Sequence, residues 1–422
     1  MKHQATEIEM PYGQEQIVLS LPAGRTADVY LPNDLPAVAD EAAEMRRAMA
    51  EPIGTSRLGT IASGKKTAAI VVDDATRPIP TAAMLKAVVD ELHQAGLRDV
   101  DMCVIVATGM HRAATDDEIA HITGGLPLKV ISHDARDDDA LVPIGTTAAG
   151  WKLSINRAAV EADLRILTGD VELHQFVGYG GGAKSVMPGI SDAASVQHTH
   201  THMFSPGAGP GRFEGNPARA EVEESADLLG VDFMINVVLN RRHELVGAFA
   251  GDVHEAFAAG TKLVDRMYKI EAPHEYDVVI ASGGGYPKDI DLYQSQKAVT
   301  SGRRLARPGG TVIVLAECRE GHGSERGYEW AKQSSSPQDV IDRFTEFVIG
   351  RHKAVQLARE VLQADIHLYS ALPEDVTRTF FLKPVAHLDE LAPLLAGAAS
   401  IAALPQAIST LIVLPGQRDV DF

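Results

Sequence analysis

The first two-thirds of the chain repeats one pattern, in which a short β-branched run ends and a polar loop follows at once. "TAAIVV" leads into "DDATRPIP", "VDMCVIVA" into "TGMHR", and "ADLRILTG" into "DVELHQFVGYGGGAKS". Later, "YDVVIAS" opens into "GGGYPKDIDLYQSQKAVTSG" and "GTVIVLA" into "ECREGHG". Between the first two runs, "AAMLKAVVDELHQAG" has helical spacing and closes on Gly96, and Thr115 and Asp116 can cap a helix through "DDEIAHI". Short apolar strands alternating with helices predict an α/β fold: two α/β domains with largely parallel sheets and an active-site cleft between them. The pattern restarts after Glu271-Ala272-Pro273-His274, which sets a first domain at 1–270 and a second at 275–400. The tail 401–422 holds one more strand-like run and is expected to return to the first domain.

In open α/β sheets the ligand site lies beyond the carboxyl ends of the strands. Every polar loop named above follows such an end. Asp74, Arg77, His111, Asp170, His174 and Lys184 are therefore expected to converge on one cleft.

Composition narrows the partners. The net charge of -18 over 422 residues and an aromatic content of 5% argue against nucleic acid and anionic membranes, which need a basic footprint or stacking rings. An anionic small molecule would need a local cluster of Arg, Lys and His. Cys103 and Cys318 lie in strand-like runs too far apart for a metal motif, and read as reduced core residues. The N-terminal stretch has no apolar signal segment and no window approaches 18 apolar residues, so the expectation is a cytoplasmic protein that does not span a membrane.

The stretch "GYGGGAKS" is one residue short of a phosphate-binding P-loop, with Ala183 in place of the last glycine. A P-loop follows its strand directly and its lysine opens a helix. Here "DVELHQFVGY" is interposed after the strand, and Pro188 and Gly189 delay any helix to about Ser191. Gly180, Gly181 and Gly182 fit better as a loop whose backbone approaches a ligand and presents Lys184.

Beyond it, "QHTHTHMF" holds His198, His200 and His202. On a helix successive members lie about 200° apart, so the three cannot form one metal cage. One imidazole is expected to face the cleft, and no carboxylate or thiolate nearby in sequence suggests an ordinary zinc site. His111 and His174 each follow a strand and suit an acid/base couple, because imidazole titrates near operating pH. Arg77, in a loop stiffened by Pro78, can grip a carboxylate through its fork. Gln294 and Lys297 share a helix face beside Tyr293 and offer further anion contacts.

Together, "DDATRPIP", "TGMHR", "DVELHQFVGYGGGAKSVMPGI", His200 sixteen residues beyond Lys184, and "ASGGGYPKDIDLYQSQKA" resemble the lactate racemase family, the nickel-pincer-nucleotide-dependent 2-hydroxyacid racemases and epimerases. The resemblance covers the whole chain, and "GGGAKSVMPGI" is its most specific part. It implies that Lys184 covalently holds a pyridinium-3,5-bisthiocarboxylic acid mononucleotide carrying nickel, and that His200 ligates the nickel. It implies that His111 and His174 flank the substrate and exchange its hydroxyl proton while the Cα hydride passes to the cofactor, leaving a 2-keto acid. Arg77 and Lys297 would hold the substrate carboxylate with Gln294 and Tyr293. Asp74, Thr76 and the glycines would contact the cofactor or brace these residues. Proteins of cofactor biosynthesis and insertion are implied partners.

Two departures point away from lactate. The histidine motif reads Thr108-Gly109-Met110-His111-Arg112 rather than G-T-H-R. The tryptophan that lactate-specific members place beside the substrate methyl is missing from "RHKAVQLAREVL". His352, Lys353 and Gln356 stand there instead, either as contacts to a larger or more polar hydroxyacid or sugar acid, or as a solvated helix face. The residues themselves leave open a P-loop-like ATPase or kinase and a non-catalytic cofactor-binding protein.

Overall fold

The computed structural model describes residues 2–415, which form two compact units. The chain opens with β1 (Lys2–Ala5) and β2 (Ala27–Tyr30). Residues 34–267 then build a six-stranded sheet from β3 (Ala68–Asp73), β4 (Met102–Ala107), β5 (Lys129–Ser132), β6 (Leu164–Asp170), β7 (Phe233–Leu239) and β8 (Leu245–Gly251). The order is β8-β7-β6-β3-β4-β5, parallel except for β8. Strands β9 (Tyr276–Ser282), β10 (Ala306–Leu315), β11 (Asp365–Tyr369), β12 (Lys383–Val385) and β13 (Ile401–Leu404) join β1 and β2 in the sheet β1-β2-β13-β9-β10-β11-β12, parallel except for β1.

The expected fold class is the observed one. Parallel strands covered on both faces read as unbroken apolar runs, and β3 is buried from Ala68 through Val72. Helix α1 (Thr81–Gln94) buries Met84, Leu85, Val88, Val89 and Leu92, a 3–4 residue spacing that makes one apolar stripe. The α2 helix (Asp116–Thr123) starts in a capping box between Thr115 and Glu118 and stops at left-handed Gly124, as its sequence suggests.

The domain division differs from the sequence expectation. Residues 2–33, placed with the first domain, belong to the other unit, because β2 pairs with β13 through Asp28↔Ala402 and Val29↔Ala403. The described part of the tail expected to return to the first domain, residues 401–415, stays in this second unit as well. Ile401–Leu404 is β13, and Leu411–Val413 pairs in parallel with Lys269–Glu271. Residues 416–422 lie outside the described residues.

Both cysteines are free thiols, Cys318 buried and Cys103 half-buried. Among the described residues no helix is long and apolar enough to cross a membrane.

Candidate functional site

In the unit of residues 34–267, connections run from β3 towards β4 on one side and from β6 towards β7 on the other. The adjacent carboxyl ends of β3 and β6 thus form the switch point at which open α/β sheets bind ligands. Asp73 closes β3, with Asp74, Thr76 and Arg77 in the loop beyond. Asp170 closes β6 and is followed by Glu172.

Lys184 does not follow β6 directly. A hairpin pairing Leu173–His174 with Gly178–Tyr179 intervenes, and the lysine lies in a 3₁₀ turn, Gly182–Ser185. After it the chain passes a cis Met187–Pro188 bond, and helix α3 (Ala193–Thr201) begins only at the Asp192 cap. This differs from a P-loop at every joint.

The glycines of this turn serve the loop itself rather than leaving open space. Gly181 has φ +82, and a Cβ there would lie 2.1 Å from the Asp170 carbonyl oxygen. Gly182 has φ +60; a Cβ would lie 2.6 Å from the Phe257 ring, while its N–H donates to Asn236 Oδ1 at 2.7 Å. Only glycine takes these backbone angles without strain and lets the loop press onto β6. Gly180 packs beside the Glu172 side chain.

Charges of both signs meet around Lys184. Arg77 forms an ion pair with Glu172. Burial opposes the Arg77 charge, but Glu172, Asp170, Asp73 and Asp74 more than offset it and raise its pKa. Lys184 is shifted the other way: burial, then repulsion from Arg77, holds its amine below the ordinary lysine value despite Asp73, Glu172 and Asp170. Burial pushes Asp73 up to about 6 and Asp170 up to about 8, with neighbouring carboxylates adding to both. An amine shifted towards its neutral form is a nucleophile at lower pH than an exposed lysine.

His111 reaches the same charges from β4. Its Nδ1 lies 2.7 Å from Asp74 Oδ2, and Thr76 braces that carboxylate from N–H and hydroxyl. The bond to Asp74 raises the His111 pKa against burial. Burial alone would raise Asp74, yet the hydrogen bonds from His111 and Thr76 hold it below the usual carboxylate value. Because Nδ1–H is committed to Asp74, the neutral ring carries its lone pair on Nε2.

His174, in the hairpin, has the opposite tautomer. Its Nδ1 accepts the Val177 N–H at 3.3 Å, which leaves the proton on Nε2. Its ring lies 4.9 Å from Phe176, and Phe176 lies 5.3 Å from His200. His200 Nδ1 donates to the Val196 carbonyl at 2.7 Å, and burial keeps the ring neutral. An oriented neutral imidazole with Nε2 presented is a good ligand for nickel, zinc or iron. Asp74, Arg77, Asp170, Lys184 and His111 lie close enough to shift one another's charges, and Lys184 also acts on His200; His174 is tied to His200 only through the Phe176 ring.

Tyr293, Gln294 and Lys297 lie in the other unit, on helix α6. After α3 the chain forms α4 (Pro217–Leu229), α5 (Glu255–Tyr268), α6 (Leu292–Leu305) and α7 (Arg351–Val361). Asp291 caps α6 at the Gln294 N–H, and Lys297 Nζ donates to Gln294 Oε1 at 3.1 Å. On α7, Lys353 is buried, donates to Gln296 Oε1 at 2.9 Å and lies 5.1 Å from the Tyr293 ring centre. Burial, helped by Lys297, lowers its pKa to about 7. His352 is also buried, stacked on Phe347, so this is not a solvated helix face.

Sequence reasoning missed three groups. Asp73 and Glu172 adjoin residues it chose, and only their placement around Lys184 and Arg77 marks them. Glu221, on α4, meets His198 and His202; its partners are distant in sequence, so spacing carried no signal.

Residues 12–211 match the model for the lactate racemase N-terminal domain, and residues 271–392 that for the lactate racemase C-terminal domain. The chain is 36% identical over 343 residues to a lactate racemase of Thermoanaerobacterium thermosaccharolyticum, covering 80% of each. It is 33% identical over 304 residues to a lactate racemase of Lactiplantibacillus plantarum, covering 71% of each. The solved lactate racemase apoprotein from T. thermosaccharolyticum superposes with a TM-score of 0.86 at 32% identity, over 96% of this chain and all of that one. A Thermotoga maritima protein, 17% identical with a TM-score of 0.60, shares the fold. Both halves of the chain, its sequence and its backbone agree: it belongs to the lactate racemase family of isomerases.

Proposed function

We propose that this protein inverts the α-carbon of a 2-hydroxycarboxylate and that it does so with the nickel-pincer nucleotide held covalently at Lys184. The observation that carries the reading is the opposite bonding of the two histidines at Nδ1, to the Asp74 carboxylate at His111 and from the Val177 N–H at His174. His111 presents a lone pair at Nε2 and His174 a proton, the pair of states a two-base racemase needs at the start of a turnover. His111 takes the hydroxyl proton of one enantiomer at Nε2, and Asp74 steadies the imidazolium that results. His174 returns a proton to the carbonyl oxygen on the opposite side, and the roles exchange in the reverse direction. When bound, the cofactor supplies a hydride acceptor for the Cα hydrogen, so that the substrate passes through a 2-keto acid.

Lys184 and His200 suit this cofactor chemically. The lysine amine is shifted towards its nucleophilic form, and the neutral His200 offers Nε2 to the nickel. Arg77 binds the substrate carboxylate by exchanging its Glu172 partner, with Asp74 and Thr76 bracing that loop and Gly180, Gly181 and Gly182 shaping the turn at Lys184. Tyr293, Gln294 and Lys297 form the other anion-binding group. Loading requires the proteins that make and insert the cofactor.

The substrate is a hydroxyacid larger or more polar than lactate. The buried, polar group of Lys353, Tyr293 and Lys297 supports this, since it is more polar than the surroundings a methyl group calls for. A nucleotide triphosphatase is disfavoured by the hairpin inserted before Lys184. A simple cofactor carrier has no use for two oppositely bonded histidines.

The test is intact mass and nickel content of protein made with and without the cofactor biosynthesis enzymes, followed by chirality and α-deuterium retention across a panel of 2-hydroxyacids and aldonates. A mass increase lost in Lys184→Ala, with turnover lost but the adduct kept in His111→Ala and His174→Ala, supports the proposal. Neither nickel nor adduct under cofactor-producing conditions would sink it.

A further inference from the structure

The segment Gln197–Met203 carries a second donor set separate from His200. His198 and His202 stand one helical turn apart and so point the same way. Both aim Nε2 at Glu221: His198 lies 3.1 Å from Oε1 and 3.0 Å from Oε2, and His202 lies 2.8 Å from Oε2. Ligand atoms of all three lie within 4.8 Å of one another. The Glu221 side chain is only 4% exposed, and the Thr147 hydroxyl orients it by donating to Oε1 at 2.9 Å.

Each ring is also held from behind. His198 stacks flat on Trp151, centroids 4.0 Å apart and planes 4° apart, and the Trp151 indole N–H is fixed on Ser195 Oγ at 2.8 Å. His202 Nδ1 faces the Ser205 hydroxyl at 3.5 Å. Metal-binding histidines are commonly oriented by such outer partners.

We propose that His198, His202 and Glu221 form a second metal site, independent of Lys184 and His200, that takes a divalent cation of the zinc type. Two imidazoles and one carboxylate are a borderline-soft N₂O set, which suits zinc and leaves a fourth position for water, whereas magnesium and calcium want oxygen shells. Ligand atoms around tetrahedral zinc sit roughly 3.3 Å apart for bonds of about 2.0 Å. Occupancy therefore requires the two Nε2 atoms to draw back from the carboxylate by a few tenths of an ångström. Each ring presents an unprotonated Nε2 to the ion, and at His202 the Ser205 hydroxyl stands within reach of Nδ1 to accept a proton held there. The inference does not depend on the hydride-transfer reading.

Trp151 reports on this site directly, because the chain has only two tryptophans. The full chain with Trp330→Phe, produced without the cofactor pathway and stripped by a chelator, is titrated with zinc chloride. Indole emission is followed, and zinc retained after desalting is counted. The expected result is about one zinc per chain with a saturable change in Trp151 emission. Glu221→Gln and, separately, His202→Gln weaken binding at least tenfold, while His200→Gln and Lys184→Ala retain it. Circular dichroism checks that the variants fold, and His202→Gln decides the matter if the buried glutamate cannot be replaced. No zinc uptake at micromolar concentrations, equal uptake by Glu221→Gln and His202→Gln, or loss in His200→Gln would overturn the proposal. The first outcome leaves an ion-free His–Glu hydrogen-bond cluster.

Discussion

The Nδ1 atom of His111 lies 2.7 Å from Oδ2 of Asp74, and the two residues come from the ends of neighbouring parallel strands. The carboxylate raises the pKa of the ring, so the basic form of His111 appears at higher pH than for an ordinary histidine. In Asp74→Asn the acid limb of the kcat/KM profile should move to lower pH, while kcat falls roughly 10²-fold or more as the ring loses its fixed tautomer. A limb that stays in place would assign it to another group.

Lys184 is held below the ordinary lysine value by burial and by Arg77. In the cofactor-free protein an acylating reagent applied near pH 8 should therefore modify Lys184 ahead of the exposed lysines, as read by peptide mass spectrometry. Arg77→Met removes one source of that shift and should slow the labelling.

Alanine at position 181 meets the Asp170 carbonyl and a left-handed backbone together. Gly181→Ala should cost about 2 kcal/mol or more, measured by urea unfolding, and should lower cofactor loading. Leu85→Ala, wholly inside the α1 face, should cost about 2–5 kcal/mol and leave the loading of folded protein unchanged.

Much of this site was legible because parallel strands buried on both faces announce themselves as apolar runs, and the loop after each run lies at the ligand edge of the sheet. Asp74, His111, His174 and Lys184 were chosen as candidates in that way, although a hairpin the apolar pattern does not show separates Lys184 from its strand. The role of the glycines was not legible, since a positive φ at Gly181 or Gly182 follows from contact with Asp170 and Phe257, residues no local pattern connects to them. Residues 2–33 carry ordinary strand signals, but their partner β13 lies at the far end of the chain. The His198–His202–Glu221 cluster was not read from the sequence, because the three histidines were weighed as one set and the carboxylate that joins two of them lies on another helix.

Lys353 titrates near pH 7 in the fold against an ordinary value of 10.5. Between those pH values the unfolded chain keeps a proton that the folded chain has lost, so stability from this group rises with pH. The unfolding free energy of Lys353→Met relative to the parent should therefore be most favourable at or below pH 7 and decline towards pH 10. Urea titrations at three pH values check the sign.

The split of the second unit across both ends of the chain has a consequence for biosynthesis. Strands β1 and β2 are translated before residues 34–267, yet their sheet waits for β9 to β13, which follow those residues. Residues 34–267 are contiguous, so the lysine-bearing unit can close while the remainder is still being translated. Until then Ala27, Val29 and Tyr30, buried in the finished fold, lack the strand β13 that covers their edge. Order of synthesis and order of folding are thus reversed between residues 2–33 and residues 34–267.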